Sequence, residues 1–263
     1  MAATSSSSSP TTYFAVKQRS KEWLALRRPV GGTSCAKLLG FCQYSRPRAA
    51  YGEQVGTSSK PFLYKKAIDH GNKYEERSER VFCEWLAKHD PEHAKQSYTE
   101  PGYDVPNPSV NTLFNEKKDA ERFGASLDVR GSLIDCEIKN PMTLASYKDK
   151  YEKLFSPSHF YQVQWTMAVR NRRKMYFIAT SFNAETEKLE AYRIWLVSFA
   201  EEIFRYLVIP RSRRIADRVL AKDTSYAIEE AESPWINPQG RYTHSPEYLN
   251  LFQHYCELKF SYP

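Results

Sequence analysis

Residues 123–141, FGASLDVRGSLIDCEIKNP, constrain this chain of 263 residues more than any other stretch. Their side chains alternate with the period of two that strands require. Gly131-Ser132 is a Gly-X pair suited to a two-residue type II′ turn. A turn there predicts a β-hairpin pairing 130 with 133, 128 with 135 and 126 with 137. One face then carries Leu127, Val129, Ile134, Cys136 and Ile138. The other carries Ser126, Asp128, Arg130, Leu133, Asp135, Glu137 and Lys139. Only Leu133 breaks the sorting, and a slip of one residue would invert it. Asp128 and Glu137 become diagonal neighbours within reach of one ion, with Lys139 on their face.

Two carboxylates and a lysine so placed suit phosphodiester hydrolysis. The reaction needs a hard cation to neutralise charge on the phosphate and to lower the pKa of an attacking water. Mg²⁺ is held by one or two carboxylates plus water and substrate phosphate. Asp128 and Glu137 would supply the carboxylates. Lys139 would position or deprotonate the water, or stabilise the charged transition state. This is the D…E-x-K arrangement of the PD-(D/E)XK nucleases. A surface hairpin whose charges merely face solvent is the competing reading of these residues.

The bulk properties narrow the classes. Net charge is +7 and the sequence pI is about 9.0, which favours a polyanionic partner such as nucleic acid. No apolar run approaches a membrane span, and the N-terminus lacks a secretory pattern. The five cysteines have no C-x-x-C spacing and suit an intracellular, reducing compartment, nucleus or cytoplasm being open. His89 and His93 lie four apart, but Pro91 between them argues against a zinc-bearing helix face.

In chain order, residues 1–12 form a Ser-rich tail expected to be disordered. Residues 20–28 predict a short helix ended by Pro29. Residues 31–34, GGTS, predict a turn into a helix closed by Gly40. Such a turn can present N–H groups and hydroxyls to an anion, and Arg27 and Ser34 could reach one phosphate. The alternative for Ser34 is a plain helix cap. Residues 45–55 and 62–88 predict further helices. Short strands are expected around residues 97–99 and at 113–114. Residues 156–171 predict a helix with Ser156 as N-cap and Pro157 at its first position. Arg170, Arg172, Arg173 and Lys174 close it as a basic cluster open to phosphates. Residues 175–181 and 189–197 predict strands that extend the hairpin's sheet. Residues 198–222 predict a helix broken near Pro210, with Arg211, Arg213, Arg214 and Arg218 exposed. A last helix is expected at residues 246–258.

The ordered motifs EWLALRRPVGGTS (22–34), GNKYEERSERVF (71–82), ASLD (125–128), EIKNP (137–141) and YQVQWTMAV (161–169) resemble the phage lambda exonuclease family. These are the YqaJ-type viral recombinases of the PD-(D/E)XK superfamily. The resemblance implies metal-binding carboxylates at Asp128 and Glu137 and a catalytic lysine at Lys139. It implies a further acidic residue on a helix at Glu75, with the adjacent Glu76 as its competitor. It implies an active-site glutamine at Gln162. It also implies a pocket for a terminal 5′-phosphate at Arg27, Ser34 and Ser126. Two departures stand out: the spacing from Asp128 to Glu137 is tight, and Leu127 stands where the family often has Pro.

The expected fold is α/β (α+β), a restriction-endonuclease-like core with a central mixed sheet flanked by helices. The nuclease domain is expected over residues 13–222, with residues 223–263 as an extension packed on it. The expected activity is Mg²⁺-dependent 5′-to-3′ digestion of linear double-stranded DNA, leaving 3′ tails for recombination. One or two ions are implied, and Mn²⁺ could substitute. The resemblance also implies a single-strand annealing partner and a ring-shaped homotrimer. Two alternatives remain, an endonuclease of the same fold and a non-catalytic basic DNA-binding module.

Overall fold

The computed structural model describes residues 3–4, 9–42, 45–58, 65–99, 102–141, 155–226 and 246–262. The chain opens with strands β1 (Ala3–Thr4) and β2 (Thr11–Phe14). Helices α1 (Lys21–Leu26), α2 (Gly32–Leu38), α3 (Pro47–Val55), α4 (Lys65–His89) and α5 (Pro91–Ala94) follow. Next come β3 (Tyr98–Thr99), β4 (Tyr103–Pro106), α6 (Asp119–Arg122), β5 (Arg130–Gly131) and β6 (Cys136–Lys139). Helix α7 (Pro157–Arg170) leads to β7 (Lys174–Phe182) and β8 (Leu189–Ser198). The chain ends with α8 (Glu201–Ile203), a π turn (Phe204–Val208), α9 (Ile209–Leu220), α10 (Pro246–Tyr255) and β9 (Cys256–Tyr262).

The central sheet is mixed and runs β6-β7-β8-β9. Strands β6 and β7 are parallel, and the other neighbours are antiparallel. Alternation along β7 divides the core. Met175, Phe177 and Ala179 face α2 and α7, where Leu38, Phe160, Val163 and Met167 are buried. Tyr176 and Ile178 face α4, against Phe82, Trp85 and Leu86. Helices on both sides of one mixed sheet make the α+β core that was expected. Each fully buried aromatic here, such as Trp165, Trp195 or Phe177, contributes about 1.5–3 kcal/mol of apolar burial. Among the described residues, no helix is long and apolar enough to cross a membrane.

Several local expectations change. Thr11 and Thr12, placed in a disordered tail, belong to β2 and pair with β4, and Thr11 is buried. Residues 113–114 form no strand. Asn111 Oδ1 accepts the N–H groups of Leu113 and Phe114, and this side-chain turn competes with a ladder. The helix expected to reach 258 ends at Tyr255, and residues 256–262 become the fourth strand of the central sheet. The break expected at Pro210 is a π turn just before it, because proline has no N–H for the regular helical bond. The predicted start of α4 at 62–64 and the aromatic, Pro-containing residues 227–245 lie outside the described residues.

The hairpin forms with a different register and turn. Val129 and Cys136 exchange both backbone bonds at 3.0 Å, which shifts the pairing by two residues. A shift of two keeps every side chain on its face, so Asp128, Glu137 and Lys139 still share one. Asp128 and Glu137 are now directly opposite rather than diagonal. Gly131 is not among the glycines with positive φ, so the II′ turn is absent. It is glycine because a side chain there would collide with Gln96 Oε1 and the Ile134 carbonyl. The first arm then leaves the ladder, and its departure builds the site.

Candidate active site

In a continued ladder, Leu127 and Ile138 would be the next residues to exchange bonds. They do not. The Leu127 carbonyl accepts from Gln18 Nε2 at 2.5 Å. The Ile138 N–H donates to Asp128 Oδ2 at 2.8 Å. The Asp128 side chain replaces a main-chain partner, which fixes its carboxylate beside β6 and leaves it 17% exposed. Glu137, on the same strand, is 1% exposed. Its Oε1 accepts from Lys139 Nζ and from Gln162 Nε2 of α7. Lys139 Nζ also lies 3.9 Å from Asp128 Oδ2, so the ammonium bridges the two carboxylates.

Helix α7 can aim Gln162 here because Ser156 caps it, accepting the His159 N–H, and Pro157 starts it. Gly32 at the start of α2 lets that helix close in, since a Cβ there would come 3.1 Å from Gln162 Cγ. Helix α4 supplies Glu75. The carboxylate of Glu75 pairs with Arg19 at 3.1 Å and is 30% exposed. Glu76 points away, 85% exposed, and meets only Arg80, at 3.8 Å, among the described residues. The choice between the two glutamates therefore falls to Glu75. Asn140 ties α4 to the end of β6. Its Nδ2 donates to the Gly71 carbonyl at 3.1 Å, and its Oδ1 accepts from Ser78 and Thr180.

These residues open onto one cleft of about 760 Å³, lined by Arg19, Lys37, Glu75, Asp128, Lys139 and Gln162 among others. Its carboxylates are partly desolvated and repel one another. Burial, then the charge of Asp128, push the Glu137 carboxyl up to about 8 against the pull of Lys139. Burial and Asp128 also raise Glu75, with Arg19 opposing. Burial and Lys139 push the His159 imidazole down to about 3, so it is neutral. Glu137 Oε2 is buried and has no hydrogen-bond partner among the described residues. A buried, unpartnered carboxylate oxygen facing a second carboxylate suits a hard cation. Among the described residues no group of three or more His, Cys, Asp or Glu side chains is placed to hold a metal ion. A two-carboxylate site completed by water and phosphate is the arrangement Mg²⁺ prefers.

The profile of the YqaJ-like viral recombinase domain matches residues 22–181. The chain belongs to this family. The matched span runs from just after the cap of α1 to the end of β7 and contains every cleft residue from Lys37 to Gln162. An alkaline exonuclease from Laribacter hongkongensis has a similar fold, with TM-score 0.50 and 16% identity over 77% of this chain and 92% of its own. A phage-related exonuclease from Haemophilus somnus 129PT gives TM-score 0.47 and 12% identity over 76% of this chain and 97% of its own. No curated protein sequence matches this chain.

The YqaJ-like core gathers Asp128, Glu137, Lys139, Glu75 and Gln162, but it treats the other three candidates differently. Arg27 is exposed and stacks on Trp23, 5.2 Å from the ring centre. Trp23 Nε1 donates to Ser126 Oγ at 3.3 Å, and Ser126 donates to the Gly102 carbonyl at 3.0 Å. Trp23 thus links Arg27 to Ser126, and none of the three lines the cleft. Ser34 turns inward: its Oγ accepts the Gly31 N–H at 2.7 Å, and it is 8% exposed. It is not the N-cap, which is Gly31, but the third residue of α2, and it reaches back to the Gly31 N–H.

Arg19, Asn140 and Gln18 went unread in the sequence. Each acts through a partner at least 56 residues away, beyond the reach of local pattern. The basic cluster after α7 also changes role. Arg170 is buried on Asp135 and Asp104, Arg172 holds Asp135, and Arg173 pairs with Glu201. Arg213, expected to be exposed, is tied to Asp119 and Glu116.

Proposed function

We propose that the chain is a metal-dependent deoxyribonuclease that digests linear duplex DNA from the 5′ end. It would leave 3′ single-stranded tails for recombination. The observation that carries this reading is that Asp128, Lys139 and Gln162 line one cleft and that Lys139 and Gln162 both hold Glu137, whose Oε2 is buried and unpartnered among the described residues. The family and the fold shared with an alkaline exonuclease support the nuclease part of this reading. Asp128 and Glu137 would hold Mg²⁺, and Glu75 would add a third carboxylate from α4. The bound cation supplies charge neutralisation and a more acidic water. Gln162 fixes the Glu137 carboxylate by donating to Oε1. Lys139 Nζ is placed to orient the attacking water and to offset charge on the phosphate. The water oxygen bonds to phosphorus as the P–O bond to the leaving oxygen breaks, and the proton lost by the water ends on that leaving oxygen. A trimer around the DNA and an annealing partner belong to the same reading through the family.

The helix-borne carboxylate gives one test. Glu75→Gln is expected to slow Mg²⁺-dependent cleavage about tenfold or more. Glu76→Gln is expected to leave it within about twofold, as a solvated side chain should. Initial rates on a labelled duplex across a Mg²⁺ titration decide this. Equal effects at the two positions would remove Glu75 from the site.

End recognition gives another. A terminal phosphate carries more charge than a backbone diester, and a guanidinium meets it with paired bonds. Arg27, held on Trp23 beside Ser126, is the charged group available. Arg27→Ala is expected to lower the preference for 5′-phosphorylated over 5′-hydroxyl ends by roughly 1.5–3 kcal/mol, about tenfold or more. Arg27→Lys should recover only part. The hydroxyls of Ser34 and Ser126 already serve backbone groups, which favours the endonuclease alternative. Rates on linear duplexes with each end, and on a closed circle, separate the two. Cleavage of the circle at a comparable rate, or a preference unmoved by Arg27→Ala, selects the endonuclease.

A further inference from the structure

The cleft contains an arginine that the family motifs do not single out. Arg19 sits in a turn closed by the Ser20 N–H on the Lys17 carbonyl at 3.1 Å. Its backbone is left-handed, with φ of 67°, a conformation that non-glycine residues adopt rarely. Gln18 anchors the turn to the Leu127 carbonyl, one residue before Asp128. Ser20 anchors its other side by capping α1. The turn is therefore fixed to the strand that bears Asp128, and the left-handed residue sends its side chain into the cleft. There the guanidinium meets Glu75 at 3.1 Å while remaining 56% exposed.

An ion pair this exposed is weak and screened, so its cation is available for exchange. Among the described residues the other cations that line the cleft are Lys139 and Lys37, and Lys139 is already held by Glu137 and Asp128. A cleft that gathers acidic groups to work on a polyanion needs a cation on its wall to admit the phosphates. We propose that Arg19 is a phosphate-binding residue of this cleft, exchanging the Glu75 carboxylate for a backbone phosphate of the DNA strand. This rests on the deoxyribonuclease reading and adds a substrate contact to it. Were Glu75 to join Asp128 and Glu137 in holding a cation, its carboxylate would no longer engage Arg19, and the guanidinium would be free. Its planar donors then match a phosphodiester. Arg19 would thus serve Glu75 as a counterion in the absence of DNA and the DNA phosphate as a ligand in its presence.

The test measures binding, which does not require cleavage. Fluorescence anisotropy would follow a labelled linear duplex bound to wild type, Arg19→Gly, Arg19→Lys, Glu75→Gln and the Arg19→Gly/Glu75→Gln double variant. Titrations run in Ca²⁺ and in EDTA at several salt concentrations. Glycine suits the left-handed backbone, so Arg19→Gly removes the guanidinium without disturbing the turn. In Ca²⁺ it is expected to weaken binding about tenfold. It should also flatten the plot of log K against log salt by about 0.9, the contribution of one phosphate contact. The effect should shrink in EDTA, where Glu75 retains the arginine. Glu75→Gln should tighten binding in EDTA, and the double variant should lose that gain. Arg19→Lys should keep the salt slope and recover part of the affinity. A purely structural role for Arg19 predicts an unchanged slope and no effect in the Glu75→Gln background, and either result overturns the proposal. Wild type that binds and cleaves while the slope ignores Arg19 removes this inference alone. Wild type that binds without cleaving in Mg²⁺ removes the nuclease reading but leaves the Arg19 contact to be judged by the slope. Wild type that fails to bind removes both.

Discussion

Glu137→Gln is expected to abolish cleavage, by about 10³-fold or more, while stabilising the metal-free protein at alkaline pH. The two effects have one cause. The Glu137 carboxyl is buried opposite Asp128, and burial raises its pKa to about 8 from the usual 4.5. The fold therefore favours the protonated form. That contribution to stability is complete below about 4.5 and is lost as pH rises through about 8. Above that range the metal-free wild type carries a buried charge whose Oε2 has no partner among the described residues. Glutamine is neutral throughout, and its carbonyl can still accept from Lys139 and Gln162. The stability gap should open in favour of the variant between those limits, reaching roughly 1–3 kcal/mol. Thermal melts in EDTA at pH 5 and pH 9 check it. Adding Mn²⁺ should raise the melting temperature of wild type and not of the variant. A variant that cleaves at a near-normal rate, or a gap independent of pH, would remove Glu137 from the metal site.

The sequence carried the faces of the hairpin but not its register. Alternation fixes which residues share a side, and a shift of two leaves that intact. So Asp128, Glu137 and Lys139 were legible although the turn was misplaced. What alternation cannot show is where a ladder stops. The first arm leaves β6 at Leu127 because Gln18 and the Asp128 side chain take over its bonds. Gln18 lies 109 residues from its partner, and nothing near it in the chain signals that use. The helix from Ser156 was legible for the opposite reason, since its cap and its proline are adjacent in sequence. Strand β9 was not, because residues 256–258 continue an apolar pattern that also suits a helix, and only pairing with β8 decides between them. Arg19 was missed because its backbone conformation and its partner on α4 are both products of the tertiary fold.

The largest stability effect is expected where the sequence reading erred most, at Arg170. Its Nε and Nη2 donate to both oxygens of Asp135, at 2.7 and 3.1 Å. Its Nη1 reaches Asp104 at 3.3 Å. Asp135 also accepts from the Gly131 N–H at 3.1 Å and from Arg172 at 3.1 Å. Asp104 holds Arg130 at 3.2 Å, and Arg130 lies 4.1 Å from the Tyr13 ring centre. The end of α7, the hairpin, β4 and β2 thus meet on one buried charge network. Replacing its central cation leaves two carboxylates desolvated, Asp135 at 0% and Asp104 at 1% exposure. Arg170→Met is therefore expected to cost about 3–5 kcal/mol, a fall in melting temperature of about 10 °C for a chain of this size. Arg172 and Arg130 keep partial hold of the two aspartates and limit the damage. Asp135→Asn should cost less than Arg170→Met, because Arg170 retains Asp104. The double variant should lose less than the sum of the singles, since each single strands a charge that the double removes. Urea unfolding of the three variants at constant pH supplies the comparison. Strict additivity, or a loss under about 1 kcal/mol for Arg170→Met, would mean that these charges are solvated. Asp135 is also the residue before β6, so a loosened network would let the strand bearing Glu137 and Lys139 shift against Gln162. Cleavage per folded molecule should then fall in Arg170→Met at temperatures well below its melt, although Arg170 never touches the cleft.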